Sequence, residues 1–454
     1  MTGVAEARTT EDTTAKWFDG VVERFRARTP GSAAAFKEAQ RILPGGVPAG
    51  LGFMSPYPLY VQRAEGAYVW DADGNKLLDF MGGDWLLPLG HCNPAVVAAT
   101  TAQIAIGTTY CSPHVSLGIE LATLLQQRIP SLEKIRFTTS GTEATQTALR
   151  LARGFTSRGK VAKMRGGYHG THDVSLIANG RFLNDPDYVS PGIIPGTRDS
   201  VILLPFNDPA SCSALIEEHA AELAAVIVEP MLGGSGMVPG TSEFLHALRE
   251  ATARHGIVLI FDETVTFAAG PHGLQGEYGI RPDLTTLGKA IGGGLPLGAF
   301  GGRGDIMELV DPVIDSTTAY RHASTLGGTP APLAAGLAQV RQMTPETHAH
   351  LHALGEQFRD GVREIAAKLD VPLQATGAAH MFGLHWTRTP VIDFETTQTS
   401  DRTVISQLML ALCNEGYLFF RAGTGTLTSA MTHDEIDGVL AALDTAIRHG
   451  GFAG

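Results

Sequence analysis

The pattern of apolar and polar positions divides the chain into stretches of different character. Residues 1–30 are polar and read as a mobile arm or a first helix. Residues 31–56 run through ILPGGVPAGLGFMSPYP, whose prolines and glycines predict a loop. LYVQRAEGAYVWDADGNKLLDF then alternates apolar with polar residues around Asp-Gly-Asn, the pattern of a small antiparallel meander. From about residue 93, short apolar runs alternate with segments of helical spacing. PAVVAATTAQIAIG, SLGIELATLLQQRIP, TEATQTALRLARGF and EFLHALREATARHG predict helices. IRFTT (135–139), KVAKMRG, AAVIVEP (224–230), IVLIFDE (257–263) and LGAFGGR (297–303) predict strands. Strands this apolar are covered on both faces, which predicts an α/β fold with a mainly parallel central sheet flanked by helices. After PAPLAAGLAQVRQM come MFGLHW and ISQLMLALCNEGYLFF, consistent with a smaller α+β domain. The expected organisation is an N-terminal arm and small-domain segment over 1–92, a large ligand-binding domain over 93–335, and a C-terminal small domain over 336–454.

Composition narrows the class. With 454 residues and 44% hydrophobic content the chain can bury a sizeable core. A net charge of -12 without any run of Lys and Arg argues against nucleic acid as a partner. It leaves room for a phosphorylated ligand, because backbone N–H groups can hold one phosphate. Cys92, Cys111, Cys212 and Cys413 form no CxxC pair, so neither a disulfide scaffold nor a structural zinc site is expected. The N-terminus lacks the apolar core of a signal peptide, and no apolar run is long enough to span a bilayer. A soluble, cytoplasmic protein without a membrane partner is the expectation.

In open α/β sheets ligands sit beyond the carboxyl ends of the strands, so candidate chemistry is sought there. Thr139-Ser140-Gly141-Thr142-Glu143 directly precedes a helix. Its small residues let backbone N–H groups approach an anion; the plainer account is a helix cap. In Gly166-Gly167-Tyr168-His169-Gly170 a tyrosine between glycines can lay its ring on a planar ligand, or simply sit half-buried in a turn. Asp262 and Glu263 close an apolar strand, and buried acids need partners. A protonated ring nitrogen would serve Asp262; a structural ion pair is the ordinary alternative. Lys289 stands in TTLGKAIGGG with no second charge within five positions. Such a setting lowers an amine's pKa and frees it to form an imine. A snorkelling surface lysine is the bland alternative. A P-loop is excluded because Ala290 follows Lys289, and no GxGxxG fingerprint occurs before residue 140.

The order of these features resembles fold-type I pyridoxal-phosphate (PLP) enzymes, specifically the class III aminotransferases. The resemblance is carried by FDETVTF…GLQGEYGIRPDLTTLGKAIGGGLPLGAFGGR (261–303), VEPMLGGSG (228–236) and HASTLGGTPAPLAAG (322–336), and extends over roughly residues 35–445. Within the class the chain is similar to the branch of glutamate-1-semialdehyde aminomutase, β-phenylalanine aminotransferase and D-phenylglycine aminotransferase. The resemblance implies the fold-type I PLP transferase architecture with PLP as cofactor. It implies that Lys289 is the Schiff-base lysine, that Asp262 pairs with the pyridine nitrogen and that Tyr168 stacks on the ring. Ser140, Gly141 and Thr142 would hold the phosphate, Glu229 and Thr264 would join the cofactor-binding set, and Thr325 would reach the phosphate of a neighbouring subunit in a homodimer. The implied activity is transfer of an amino group from an amine or amino acid to a keto acid or aldehyde, by a ping-pong course through pyridoxamine phosphate. An aminomutase or racemase on the same scaffold is the alternative.

The chain departs from the branch where a substrate carboxylate would bind. Ala49 and Gly423 fall where the β-amino-acid enzymes carry arginines, and Arg421 lies two residues from the second position. Phe53, Met54, Trp85, Arg321 and Arg421 are the candidate substrate residues. A pocket with so few charges would suit a bulky, aromatic or neutral amine. His169, His172 and Asp173 are expected to support Tyr168 through hydrogen bonds, and no metal is expected.

Overall fold

The strands and helices of the chain are taken from a computed structural model that describes residues 2–50, 53–110, 115–180, 188–313 and 320–453. Among these, the largest sheet has seven strands. Their spatial order is Lys134–Thr138, Gly298–Gly302, Leu284–Leu287, Val258–Asp262, Leu223–Val228, Lys160–Met164, Val201–Leu204. Only Gly298–Gly302 runs against the rest. The central strands are buried at every position, as continuous apolar runs demand when helices cover both faces. Six strands therefore deliver their carboxyl ends to one edge, and the reversed strand begins there.

The meander over 61–79 forms as its alternation predicts: Val61–Glu65, Tyr68–Asp71 and Lys76–Asp79 pair antiparallel. Tyr417–Leu418 adds parallel to Lys76–Asp79, so the two ends of the chain share this sheet. A three-stranded antiparallel sheet, Leu373–Thr376, Met381–Trp386 and Thr424–Thr426, stands beside the helices Pro345–Leu369, Arg402–Asn414 and His433–His449. Phe80 from the N-terminal meander stacks on Phe419 with ring centroids 4.4 Å apart, and Phe358 meets Phe382 at 4.1 Å. Truncating one such buried ring to alanine costs about 3–5 kcal/mol.

The structure corrects the loop expected over 31–56. A helix runs from Pro30 to Ala39, a turn follows at 40–42, and Pro44–Gly46 form a short 3-10 helix. Proline is well tolerated in the first helical turn, and the alanines that follow favour helix, so PGSAAAF reads as a start signal. The polar first segment is helical over Thr2–Arg28. Sequence patterning also passed over Val201–Leu204, a four-residue edge strand too short for a periodic signal. Among the described residues no helix is long and apolar enough to cross a membrane, and Cys92, Cys212 and Cys413 are free thiols. Cys111 lies outside the described residues.

Candidate active site

A cavity of about 330 Å³ opens at the carboxyl edge of the large sheet. Its deep wall is built from acids that end apolar strands. Asp262 is the last residue of its strand and is 4% exposed. Its Oδ1 accepts from the Thr264 N–H (3.1 Å) and the Thr286 hydroxyl (3.0 Å). Its Oδ2 faces His169 Nδ1 at 2.9 Å. Burial pushes this carboxyl's pKa up, but His169 and the Thr264 N–H outweigh it and hold the acid below its usual range. Asp262 is therefore kept ionised. Side chains alternate faces along a strand, so Glu263 points away. It accepts from Thr266, Leu274 and Gln275 and is a structural acid.

Glu229 follows the strand Leu223–Val228 and is also buried. Its two oxygens accept from the N–H groups of Tyr168 (2.8 Å) and Gly233 (3.1 Å). Burial, with the charge of Asp262 adding to it, raises its pKa. Tyr168 and His169 come from the turn after Lys160–Met164, and both line the cavity. His169 supports the acid rather than the tyrosine ring, and His172 turns to the Thr145 hydroxyl at 3.2 Å. Among the described residues no group of three His, Cys, Asp or Glu is placed to hold a metal.

One rim of the cavity is the start of the helix Gly141–Thr156. Ser140 is its N-cap, with Oγ accepting from the Glu143 N–H at 3.2 Å, while Thr139 donates twice to the Glu143 carboxylate. The capping account of Ser140 thus holds, and it leaves first-turn N–H groups facing the cavity. Gly141 has no room for a side chain: a Cβ there would lie 2.9 Å from Thr264 Cγ2. A Cβ on Gly288 would meet the same methyl at 3.1 Å. Three segments converge on Thr264, whose hydroxyl is buried without a hydrogen-bond partner among the described residues.

Lys289 enters from the end of the buried strand Leu284–Leu287 with a left-handed backbone (φ 50°) and lines the cavity. It is not a snorkelling surface lysine. Its Nζ lies 5.4 Å from the centroid of the Trp85 ring, which is buried against Phe420. Trp85 ends a turn in which Gly82, Gly83, Asp84 and Trp85 all have positive φ (53°, 64°, 67° and 65°). For non-glycine residues such geometry costs about 1–2 kcal/mol each. Asp84 and the loop residues Gly294–Leu297 complete the mouth.

Lys289, Asp262, Glu229, Tyr168, Thr264, Ser140, Gly141 and Thr142 are thus gathered around one cavity. Thr325 is not among them. It lies in a separate cleft of about 870 Å³ with Tyr110, Phe137, His322 and Ser324. Phe53 is 47% exposed and packs toward Phe36, Met54 packs on the small-domain core, and Arg321 is exposed. Arg421 is exposed, with Nε donating to the Ser406 hydroxyl at 2.5 Å. In the single chain none of these four lines the cavity. Sequence reasoning missed Asp84 and the wall at 294–297; the Gly-Gly before Asp84 was the available signal for a left-handed turn.

Residues 54–446 match the family described as aminotransferase class-III. The chain belongs to the class III aminotransferases. Glutamate-1-semialdehyde 2,1-aminomutase 2 of Geobacillus kaustophilus is 41% identical over 422 residues, 91% of this chain and 97% of that protein. An omega-transaminase from Sphaerobacter thermophilus has a TM-score of 0.88 at 37% identity, covering 94% of this chain and 99% of its own. A transaminase with PLP bound has a TM-score of 0.87 at 31% identity, covering 93% and 98%. This class III aminotransferase is a PLP-dependent enzyme with the fold-type I architecture.

Proposed function

We propose that this class III enzyme is an aminotransferase that moves an amino group between an amine or amino acid and a keto acid or aldehyde in two half-reactions. The observation that carries this reading is that Lys289 and the ionised Asp262 line one cavity. The residues present fit PLP: Asp262 would accept a ring N–H, the first turn after Ser140 would hold the phosphate, and Tyr168 would lie on the ring. The buried Thr264 hydroxyl lacks a partner and would gain one from the cofactor. Bound there, PLP supplies a ring that withdraws electrons from the carbon bearing the amine. Asp262 would keep a proton on the ring nitrogen. Lys289 would hold the cofactor and then use its Nζ to take and return the proton at the reacting carbon.

The described lining residues of the cavity include no arginine, and Leu86, Val265, Leu295, Pro296 and Leu297 are apolar. That supports a bulky, aromatic or neutral amine as donor rather than one anchored by a carboxylate. A donor panel read by conversion of the cofactor's visible band tests the reading; no conversion with any amine and keto-acid pair would defeat it. The aminomutase reading is favoured by the relatives of that name. It predicts an isomerised product from one substrate without an acceptor.

A homodimer is part of the same proposal. The helix Pro94–Ile106 is almost wholly apolar yet buries only Val96 and Gln103, leaving Val97, Ile104 and Ile106 exposed. Exposed apolar faces of this kind mark interfaces. In such a pair Thr325 would reach the partner's phosphate site, as the family resemblance implies. Sedimentation of an active monomer would rule that out.

A further inference from the structure

The reaction outlined above makes no use of Lys163. This residue is fourth in the strand Lys160–Met164 and is 0% exposed, between strands that are apolar on both faces. A buried ammonium is costly unless it is well paired. Its Nζ donates to the carbonyls of Ile177 (2.5 Å) and Ser175 (3.3 Å). Burial lowers its pKa to about 7, and the negative charge of Glu229 opposes that fall.

The backbone it grips leads back to the site. Ser175 Oγ accepts from the His169 N–H at 2.8 Å, and the Thr145 hydroxyl donates to the His169 carbonyl at 2.5 Å. The His169 ring in turn sits on Asp262. The ionisable groups around Lys163 are Glu229 after the strand Leu223–Val228, His169 and His172 after its own strand, and Asp262 on the central strand.

We propose that Lys163 is a positioning residue, a buried cation that pins the 175–177 backbone that seats His169 on Asp262. A lysine that merely filled space could be replaced by methionine with no electrostatic trace at the cofactor. A positioning cation could not, because its removal makes the deep wall more negative and favours protonation of whatever base faces it.

The inference rests on the functional reading of the site, and the test separates the two. The PLP-loaded protein is compared with Lys163→Met and Ser175→Ala for melting, cofactor content and the pH midpoint of the visible band. Lys163→Met is expected to retain cofactor while its midpoint rises by about one unit and kcat falls about tenfold with little change in KM. Ser175→Ala keeps the lysine and cuts only the tie to His169, so its midpoint should move less, in whichever direction looser seating of His169 dictates. Lys163→Met/Glu229→Gln, which removes the uncompensated acid, should bring the midpoint back toward the parent value. A folded, loaded Lys163→Met with an unmoved midpoint overturns the proposal. If that variant does not fold, an unmoved midpoint in Ser175→Ala overturns it instead. A parent protein that never develops a visible band would sink the functional reading itself.

Discussion

At the deep wall of the cavity every acidic oxygen of Asp262 and Glu229 meets a donor that the sheet fixes in place. At the mouth, the chain lines the same cavity with a left-handed turn and an apolar loop. The wall follows from topology: parallel strands that end together bring their last residues together, whatever the substrate. The mouth depends on segments between elements, and its described lining residues include no arginine. On the proposed function, cofactor chemistry and donor choice would be encoded in separable parts of one cavity.

The sharpest way to break that separation is at Lys289. Lys289→Ala should lower turnover by about four orders of magnitude or more, and borohydride should trap no adduct while PLP is still retained. Asp262→Asn comes next. It should cost about two to three orders of magnitude in kcat, with a change in the cofactor's absorption and little change in melting temperature. Acid attacks the wall by another route. Burial lowers the His172 pKa to about 4 from 6.5. The folded protein thus keeps this ring neutral where the unfolded chain protonates it, and the stability it contributes is complete above pH 6.5 and lost as pH falls from there toward 4. Melting followed across that window should show the loss, and His172→Gln should reduce it, leaving the part contributed in the same way by His348 and His385, which burial lowers to about 4, and His380, lowered to about 3. The mouth should respond differently: Trp85→Ala should change donor preference by about tenfold in kcat/KM without releasing the cofactor. The smallest effect is expected for Arg421→Ala, because an exposed side chain on Ser406 contributes little; a change in KM above about threefold would return Arg421 to the substrate site.

Legibility followed the same division. The residues at strand ends could be read from the chain because an acid closing IVLIFD or a lone lysine after DLTTLG breaks a strong apolar pattern. His169 was read in the right place but given the wrong partner, since nothing local shows that the turn after one strand reaches the end of another 93 residues away. Lys163 was hidden inside a strand pattern; a second lysine in KVAKM looks like a solvent-facing position until both faces prove to be covered. The helix at Pro30 was masked by the Pro/Gly-rich stretch that follows it. Arg321 and Arg421 were chosen for charge and proximity in sequence, and neither reaches the cavity within one chain, because side-chain direction is set by packing that sequence does not display.

The left-handed turn at Gly82–Trp85 limits how this enzyme can be altered. Only glycine, asparagine and aspartate adopt that backbone readily, so most replacements of Asp84 would be filtered by conformation before their chemistry at the mouth could be tested. Attempts to widen or redirect the donor range would meet less resistance at Leu86 or Leu295, where ordinary backbone leaves the choice of side chain open.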